Sequence, residues 1–204
     1  MPDVNYKGCF TARLELHDNT PLGFHTIVDG QRKEDDCLQV QSESGQTIEF
    51  FFRPYEKDAY VLAFTVSMPK EWTEIPIGDD WTGIPLPTDW TEIPIPDGVK
   101  SQSSDWAYLG FGEEYSIGKT KIPEFAYPVA LQGDGGSEFS IDSDAVQSVY
   151  LKCLRPGYGN MQIAKSKTPP GDVLFSRPRE DSEDALFKLT ILSRYDADGS
   201  SIEK

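Results

Sequence analysis

Histidine and cysteine are the residue types best suited to hydrolytic or metal chemistry, and both are scarce in this chain. His17 and His25 are its only histidines, and Cys9, Cys37 and Cys153 are its only cysteines. A hydrolytic site needs a base that titrates near neutral pH, usually histidine, beside a positioned nucleophile. The first two cysteines and the two histidines are spaced unlike the ligands of a compact zinc site. We therefore expect no metal site, no cofactor and no catalytic residue of this kind.

The motifs that would place such residues on a tight turn or a helix are also missing. The sequence contains no GxSxG, HExxH, GxxxxGK[ST] or GxGxxG pattern and no CxxC pair. Two carboxylates can hydrolyse glycosides without any such motif. Acids are so abundant here, 34 in 204 residues, that their presence points to no particular pair. An enzyme is the class we least expect.

Three consecutive nine-residue segments repeat the same residue types. They begin at Trp72, Trp81 and Trp90 and read WTEIPIGDD, WTGIPLPTD and WTEIPIPDG. Trp, Thr, Ile and Pro recur in one register, which composition alone does not produce. The prolines exclude a continuous helix and a central β-strand. The repeat is thus a separate feature of the chain.

Two conformations fit this repeat. In polyproline II, successive indoles would lie about 28 Å apart on one side, together with the isoleucines. In a meander, short edge strands would alternate with turns of Gly, Pro, Thr and Asp. In either case residues 71–98 carry seven acids and no base. The segment is therefore apolar and anionic at once.

We interpret residues 70–100 as an inserted recognition arm, because exposed tryptophans and isoleucines in series reduce solubility unless a partner covers them. A sugar stacked on an indole, a neighbouring subunit or a lipid interface would each do so. Alternatively, the indoles fold onto the sheet and cap its open edge. The expected ligand-binding residues are Trp72, Ile75, Asp80, Trp81, Ile84, Asp89, Trp90 and Ile93.

Charge limits the classes of partner. Nineteen basic residues against 34 acidic ones give a net charge of −15. Nucleic acid is not an expected partner, because its binding needs a basic stripe that the chain lacks. An anionic membrane is disfavoured by the same repulsion. The simplest interpretation is that the charge keeps the protein soluble, while basic proteins, cations and neutral glycans stay open as partners.

The cysteines and the first residues bear on localisation. MPDVNYKGCF has neither the basic nor the apolar region of a secretory signal. Three cysteines without regular spacing are best explained as reduced, buried residues. We expect a cytoplasmic protein, or a secreted one without a visible signal peptide.

The rest of the chain must supply the scaffold. Short β-branched and aromatic runs closed by turn residues predict a single all-β domain over 1–204, an antiparallel β-sandwich or jelly roll of roughly ten strands. Runs at 37–41 and 46–53 flank Ser44-Gly45 and predict a hairpin. The sequence DGQRKEDD at 29–36 predicts an exposed loop. Further strands are expected at 6–16, 59–67, 106–111, 126–131, 138–141, 146–151, 172–176 and 185–192.

These patterns favour a non-catalytic, lectin-like recognition protein whose Trp-Ile-Pro repeat binds a glycan or a protein partner. One alternative is a membrane-damaging β-toxin or toxin component in which the repeat contacts lipid, although seven acids fit poorly against anionic lipid. Another is a structural or shell subunit that exchanges arms with its neighbours, which would make the protein a homo-oligomer.

Overall fold

The computed structural model describes residues 5–29, 32–40, 48–66, 105–111, 117–120, 126, 128–154, 161–165, 174–178 and 182–202. Within these ranges one antiparallel sheet contains all the strands. They are β1 (Phe10–Leu16), β2 (Leu22–Asp29), β3 (Arg32–Val40), β4 (Glu49–Glu56), β5 (Ala59–Val66), β6 (Asp105–Phe111), β7 (Ile117–Thr120), β8 (Pro128–Gly133), β9 (Gln147–Cys153), β10 (Met161–Lys165), β11 (Leu174–Pro178), β12 (Leu186–Tyr195) and β13 (Ser201–Ile202).

Six of these strands close into a barrel. Going around the ring, β1 pairs with β4, β4 with β5, β5 with β8, β8 with β9, β9 with β12, and β12 with β1. Closure gives every strand of the ring two neighbours and removes open edges from it. The all-β prediction is confirmed. The sandwich or jelly roll is not, because the sheet closes on itself.

Two barrel strands each divide one edge between two neighbours. On β5, residues 59–61 pair with β8 and residues 63–66 pair with β6. On β9, residues 147–150 pair with β12 and Lys152 pairs with β10. We call these the β5 fork and the β9 fork. From them the sheet continues as two wings, β6-β7-β3-β2 and β10-β11.

Alternate residues of the barrel strands fill its interior. Phe10 on β1, Phe52 on β4 and Tyr60 on β5 are buried there, as the period of two in a strand requires. The rings of Phe10 and Phe52 stack at 4.5 Å, and Tyr60 meets Phe10 edge-on at 5.2 Å. Aromatic and aliphatic side chains thus occupy the interior, as expected of a narrow barrel.

The connection between β8 and β9 covers one end of the barrel. Phe139 and Ile141 pack against the core, and the Phe139 ring lies 5.8 Å from that of Phe10. Arg194 on β12 fixes this loop by donating hydrogen bonds to the carbonyl oxygens of Ile141 and Ser143 at 2.6 and 2.9 Å. The strand expected at 138–141 is therefore wrong, since its two apolar residues serve as this cover.

Two further local predictions are wrong. The expected hairpin around Ser44-Gly45 does not form, because β3 pairs with β2 and β7 while β4 pairs with β1 and β5. The turn residues Ser44-Gly45 predict pairing between strands that are adjacent in the sequence. The apolar run of β4 instead forms part of the barrel. The expected loop at 29–36 contains the end of β2 and the start of β3. β3 tolerates its charged residues in a wing, outside the ring.

Candidate functional site

The predicted ligand-binding residues lie outside the part of the chain that the structure describes. They are Trp72, Ile75, Asp80, Trp81, Ile84, Asp89, Trp90 and Ile93. The arm expected at 70–100 lies there as well. The described strands nevertheless fix where this segment leaves the sheet and where it re-enters the sheet.

The segment that contains the repeat connects two neighbouring strands. β5 ends at Val66, β6 begins at Asp105, and these two residues are register partners. Adjacent strands lie about 4.8 Å apart. Residues 67–104 are thus inserted between two backbone positions that the sheet holds side by side. We call this pair of positions the insertion point.

The strand that leads to the insertion point is firmly embedded. Residues 59–64 of β5 are all buried, with Tyr60 and Leu62 facing the interior and Val61 and Ala63 facing outward. The strand expected at 59–67 is confirmed by β5, and these residues of it are buried on both faces. Such a strand is a rigid base for whatever follows it.

A second buried layer, the outer-face cluster, covers β4, β5 and β6 from outside the barrel. In one cross-strand row, Phe51 pairs with Ala63 and Ala63 with Tyr108. The ring of Tyr195 meets Phe51 edge-on at 5.7 Å. The cluster comprises Tyr6, Cys9, Phe51, Val61, Ala63, Tyr108, Ala126 and Tyr195, with Tyr55 packed against it.

Arg53 is fully buried among these side chains. Its Nη1 donates a hydrogen bond to the Tyr108 hydroxyl oxygen at 3.2 Å, and its guanidinium carbon lies 5.8 Å from the centre of the Tyr108 ring. Arginine keeps its charge at any physiological pH, and an aromatic face stabilises a cation. Because Arg53 is on β4 and Tyr108 is on β6, the pair ties these strands together across β5. Tyr108 lies three residues along β6 from Asp105 at the insertion point.

The titratable groups near Arg53 are unsuited to acid–base or nucleophilic chemistry. Burial raises the pKa of the Cys9 thiol to about 12, although the charge of Arg53 acts in the opposite direction. Burial likewise raises the pKa of Tyr195. A thiol is nucleophilic only as the thiolate, so Cys9 is inert at neutral pH. We assign the outer-face cluster a structural role.

The expectation of buried cysteines is confirmed for Cys9 and Cys153. The histidines and cysteines weighed as zinc ligands are divided: His25 and Cys37 are register partners on β2 and β3, whereas His17 is exposed just after β1. Among the described residues, no three His, Cys, Asp or Glu side chains group closely enough to hold a metal ion.

Unlike the β5 fork, where Arg53 is buried, the β9 fork is filled by apolar side chains. A 3-10 turn, Glu183–Ala185, precedes β12 and places Ala185 beside Tyr150, Ala164 and Leu186 in a small apolar cluster. The Tyr150 hydroxyl donates to Asp134 Oδ1 at 3.2 Å, near the surface. No charged side chain belongs to this apolar cluster.

Sequence reasoning overlooked Arg53 and Tyr108. One signal was present, because Arg53 directly follows the apolar run Phe50-Phe51-Phe52 within a strand. An arginine in such a run is seldom fully buried unless partners compensate its charge. Tyr108 carried no comparable signal, since its proximity to Arg53 depends on the pairing of β5 with β6.

Within the described ranges, no helix has the length and apolar character needed to cross a bilayer. No protein-family model and no curated protein matches the chain.

Proposed function

We propose that this is a non-catalytic recognition protein in which the barrel is a scaffold and the Trp-Ile-Pro repeat at 70–100 is an inserted arm that binds a glycan or a protein partner. The observation that carries the proposal is the register pairing of Val66 with Asp105. An insertion between paired residues leaves the rest of the sheet intact, and the entropic cost of a longer loop rises slowly. Binding residues are commonly carried on loops held by a rigid scaffold.

The side chains inside the barrel support the assignment of the barrel as scaffold and of the repeat as binding arm. Its interior is filled by side chains such as Phe10, Phe52 and Tyr60, and Phe139 covers one end. The buried thiol of Cys9 is protonated at neutral pH. These features suit a scaffold better than a ligand-holding or catalytic chamber.

The residue types of the repeat suit recognition. An indole offers a flat apolar face on which a sugar ring stacks, together with an N–H donor. Carboxylates such as Asp80 and Asp89 accept hydrogen bonds from sugar hydroxyls. The same acids would complement a basic protein surface and speed its association. The two classes of partner therefore differ in salt dependence, which should be strong only for a basic protein.

The test is an excision variant in which residues 67–104 are replaced by Asn-Gly between Val66 and Asp105. A two-residue Asn-Gly turn connects directly paired strands without distorting them. We expect the near-ultraviolet circular dichroism of the barrel to persist, while binding on a glycan array and to basic proteins coupled to a sensor surface is lost. Trp81→Ala, which removes one indole and leaves the loop length unchanged, should weaken the same binding.

Binding by the folded excision variant decides whether the arm is the binding element. If the folded excision variant binds the same glycans or proteins as the full chain, the repeat is not the binding element. If the full chain releases dye from neutral lipid vesicles and the excision variant does not, the toxin alternative replaces recognition of a soluble partner.

A further inference from the structure

Four aspartates of the chain are followed directly by glycine. An Asp-Gly pair is prone to a spontaneous backbone rearrangement, because glycine has no side chain to shield its amide nitrogen from the preceding carboxyl group. Two of these pairs, Asp134-Gly135 and Asp198-Gly199, lie wholly within the described part of the chain, and the other two extend outside it. The two described pairs have very different surroundings.

The turn around Asp198 engages both groups that would have to react. One carboxylate oxygen of Asp198 accepts a hydrogen bond from the Ser200 amide at 2.9 Å, and this bond lowers the pKa of the carboxyl group. The Gly199 amide donates to the Asp196 carbonyl oxygen at 3.0 Å. Gly199 also packs against Tyr6, because an added Cβ atom would lie 3.0 Å from the tyrosine ring. The carboxyl group and the amide are therefore both held in place.

The turn around Asp134 leaves the corresponding groups accessible. Asp134, Gly135 and Gly136 form a short 3-10 turn without a buried residue, and all three are exposed. An added Cβ atom on Gly135 would meet nothing within 4 Å. The Gly135 amide belongs to the first residues of the turn, whose amides have no acceptor within it. The bond from the Tyr150 hydroxyl to Asp134 Oδ1 is long, at 3.2 Å, for a bond between two oxygens. This turn can therefore rearrange without moving a core side chain.

We propose that Asp134-Gly135 is a site of spontaneous isoaspartate formation, from which Asp198-Gly199 is protected by its turn. The Gly135 amide nitrogen attacks Cγ of the protonated Asp134 carboxyl group, so that an N–Cγ bond forms, a Cγ–O bond breaks and one water molecule leaves. Water then opens the succinimide ring at one of its two C–N bonds. Cleavage of the N–Cγ bond restores aspartate, and cleavage of the bond to the main-chain carbonyl carbon gives isoaspartate. Water is the only other reactant, and no group is oxidised or reduced.

The product alters the turn that leads into the cover of the barrel. In isoaspartate the main chain runs through the former side chain and gains one methylene group. The Asp134 carbonyl oxygen accepts bonds from the Ser137 amide at 3.1 Å and the Ser137 hydroxyl at 2.6 Å. After the rearrangement this oxygen belongs to a carboxylate branch outside the main chain. Phe139, which packs against Phe10, follows two residues after Ser137. The proposal therefore concerns the scaffold and does not depend on the repeat.

The experiment ages the full chain at mildly acidic pH, with circular dichroism to verify that it stays folded, and locates isoaspartate in each peptide by mass spectrometry with electron-transfer fragmentation. We expect isoaspartate to accumulate about tenfold faster at Asp134 than at Asp198, because the bonds around Asp198 must open before its ring can close. Asp134→Glu should remove the signal at that position, since the longer side chain would have to close a larger ring. The matched variant Asp198→Glu should leave the rate at Asp134 unchanged.

A second arm of the experiment removes the fold. In concentrated urea the two pairs should react at similar rates, because they share the Asp-Gly sequence and the bonds of the Asp198 turn are broken. Equal rates in the folded chain, or a faster reaction at Asp198, would overturn the proposal. So would a folded chain that forms no isoaspartate at Asp134 although the unfolded chain does. An equally strong preference for Asp134 in urea would assign the difference to neighbouring residue types, and would also overturn the protection ascribed to the fold.

Discussion

At each of the two forks, one strand edge is divided between two neighbouring strands, and different side chains pack into the space between those neighbours. At the β9 fork, a 3-10 turn fills the space with small and aliphatic residues, including Ala185 and Leu186. At the β5 fork, the space beside β6 holds a buried cation, Arg53, bonded to the Tyr108 hydroxyl. Apolar packing is non-directional, whereas a hydrogen bond fixes both distance and direction. The difference indicates that the position of β6, where the insertion returns, is set more strictly than that of β10.

Removing the buried cation should have the largest effect. Arg53→Ala deletes the stem that packs over β5 and leaves the Tyr108 hydroxyl without this donor. We expect the free energy of unfolding to fall by about 3 kcal/mol, in the range of large-to-small changes in cores. Urea denaturation measures this change, and hydrogen exchange should quicken in β6. A loss below about 1 kcal/mol would mean that Arg53 is not a fixing element of the fork.

Truncating a buried side chain at the β9 fork should lower the free energy of unfolding somewhat less and should affect a smaller part of the sheet. Leu186→Ala removes a largely buried side chain from the apolar cluster, and we expect a loss of about 2 kcal/mol. Because this cluster lies on β9, β10 and β12, hydrogen exchange in β6 should keep its normal rate relative to global unfolding. If hydrogen exchange became faster in β6 alone in this variant, the two forks would not differ in the way described above.

How far the sequence predicts this architecture depends on the range of the interaction. The strand predicted at 185–192, observed as Leu186–Tyr195, is evident from the alternation of apolar and polar residues over 187–191, and the buried character of β5 from its composition. The pairing of strands was not accessible, because the hairpin signal at Ser44-Gly45 is local whereas ring closure joins β1 to β12 across the whole chain. Likewise, the repeat was visible in the sequence, but its insertion between directly paired residues was not.

Alkaline pH offers a probe of the β5 fork. The pKa of Cys9 rises from its ordinary value of 9.0 to about 12 in the folded protein. Folding thus favours the protonated thiol, so its contribution is complete below about pH 9 and is lost as the pH rises toward 12. In that window one such group changes the free energy of unfolding by about 1.4 kcal/mol per pH unit.

The matched measurement compares the unmodified chain with Cys9→Ala. Tyr60 and Tyr195, whose pKa values are also raised by burial, add to the alkaline slope in both proteins. The difference between the two slopes therefore isolates the thiol, and the unmodified chain should be the steeper. Identical slopes from pH 9 to 11 would show that Cys9 is not shielded from solvent in the folded state.

The smallest effect concerns a single hydroxyl at each fork. Tyr108→Phe removes the oxygen that accepts the bond from Arg53, and should cost about 1 to 2 kcal/mol because the bond is buried and involves a charged donor. Tyr150→Phe removes a donor to the exposed residue Asp134, where water can replace the bond, so the cost should be below about 0.5 kcal/mol. Urea denaturation resolves this difference. Equal costs would mean that the bond between Arg53 and Tyr108 contributes no more than an ordinary surface contact, and that β6 is positioned by packing alone.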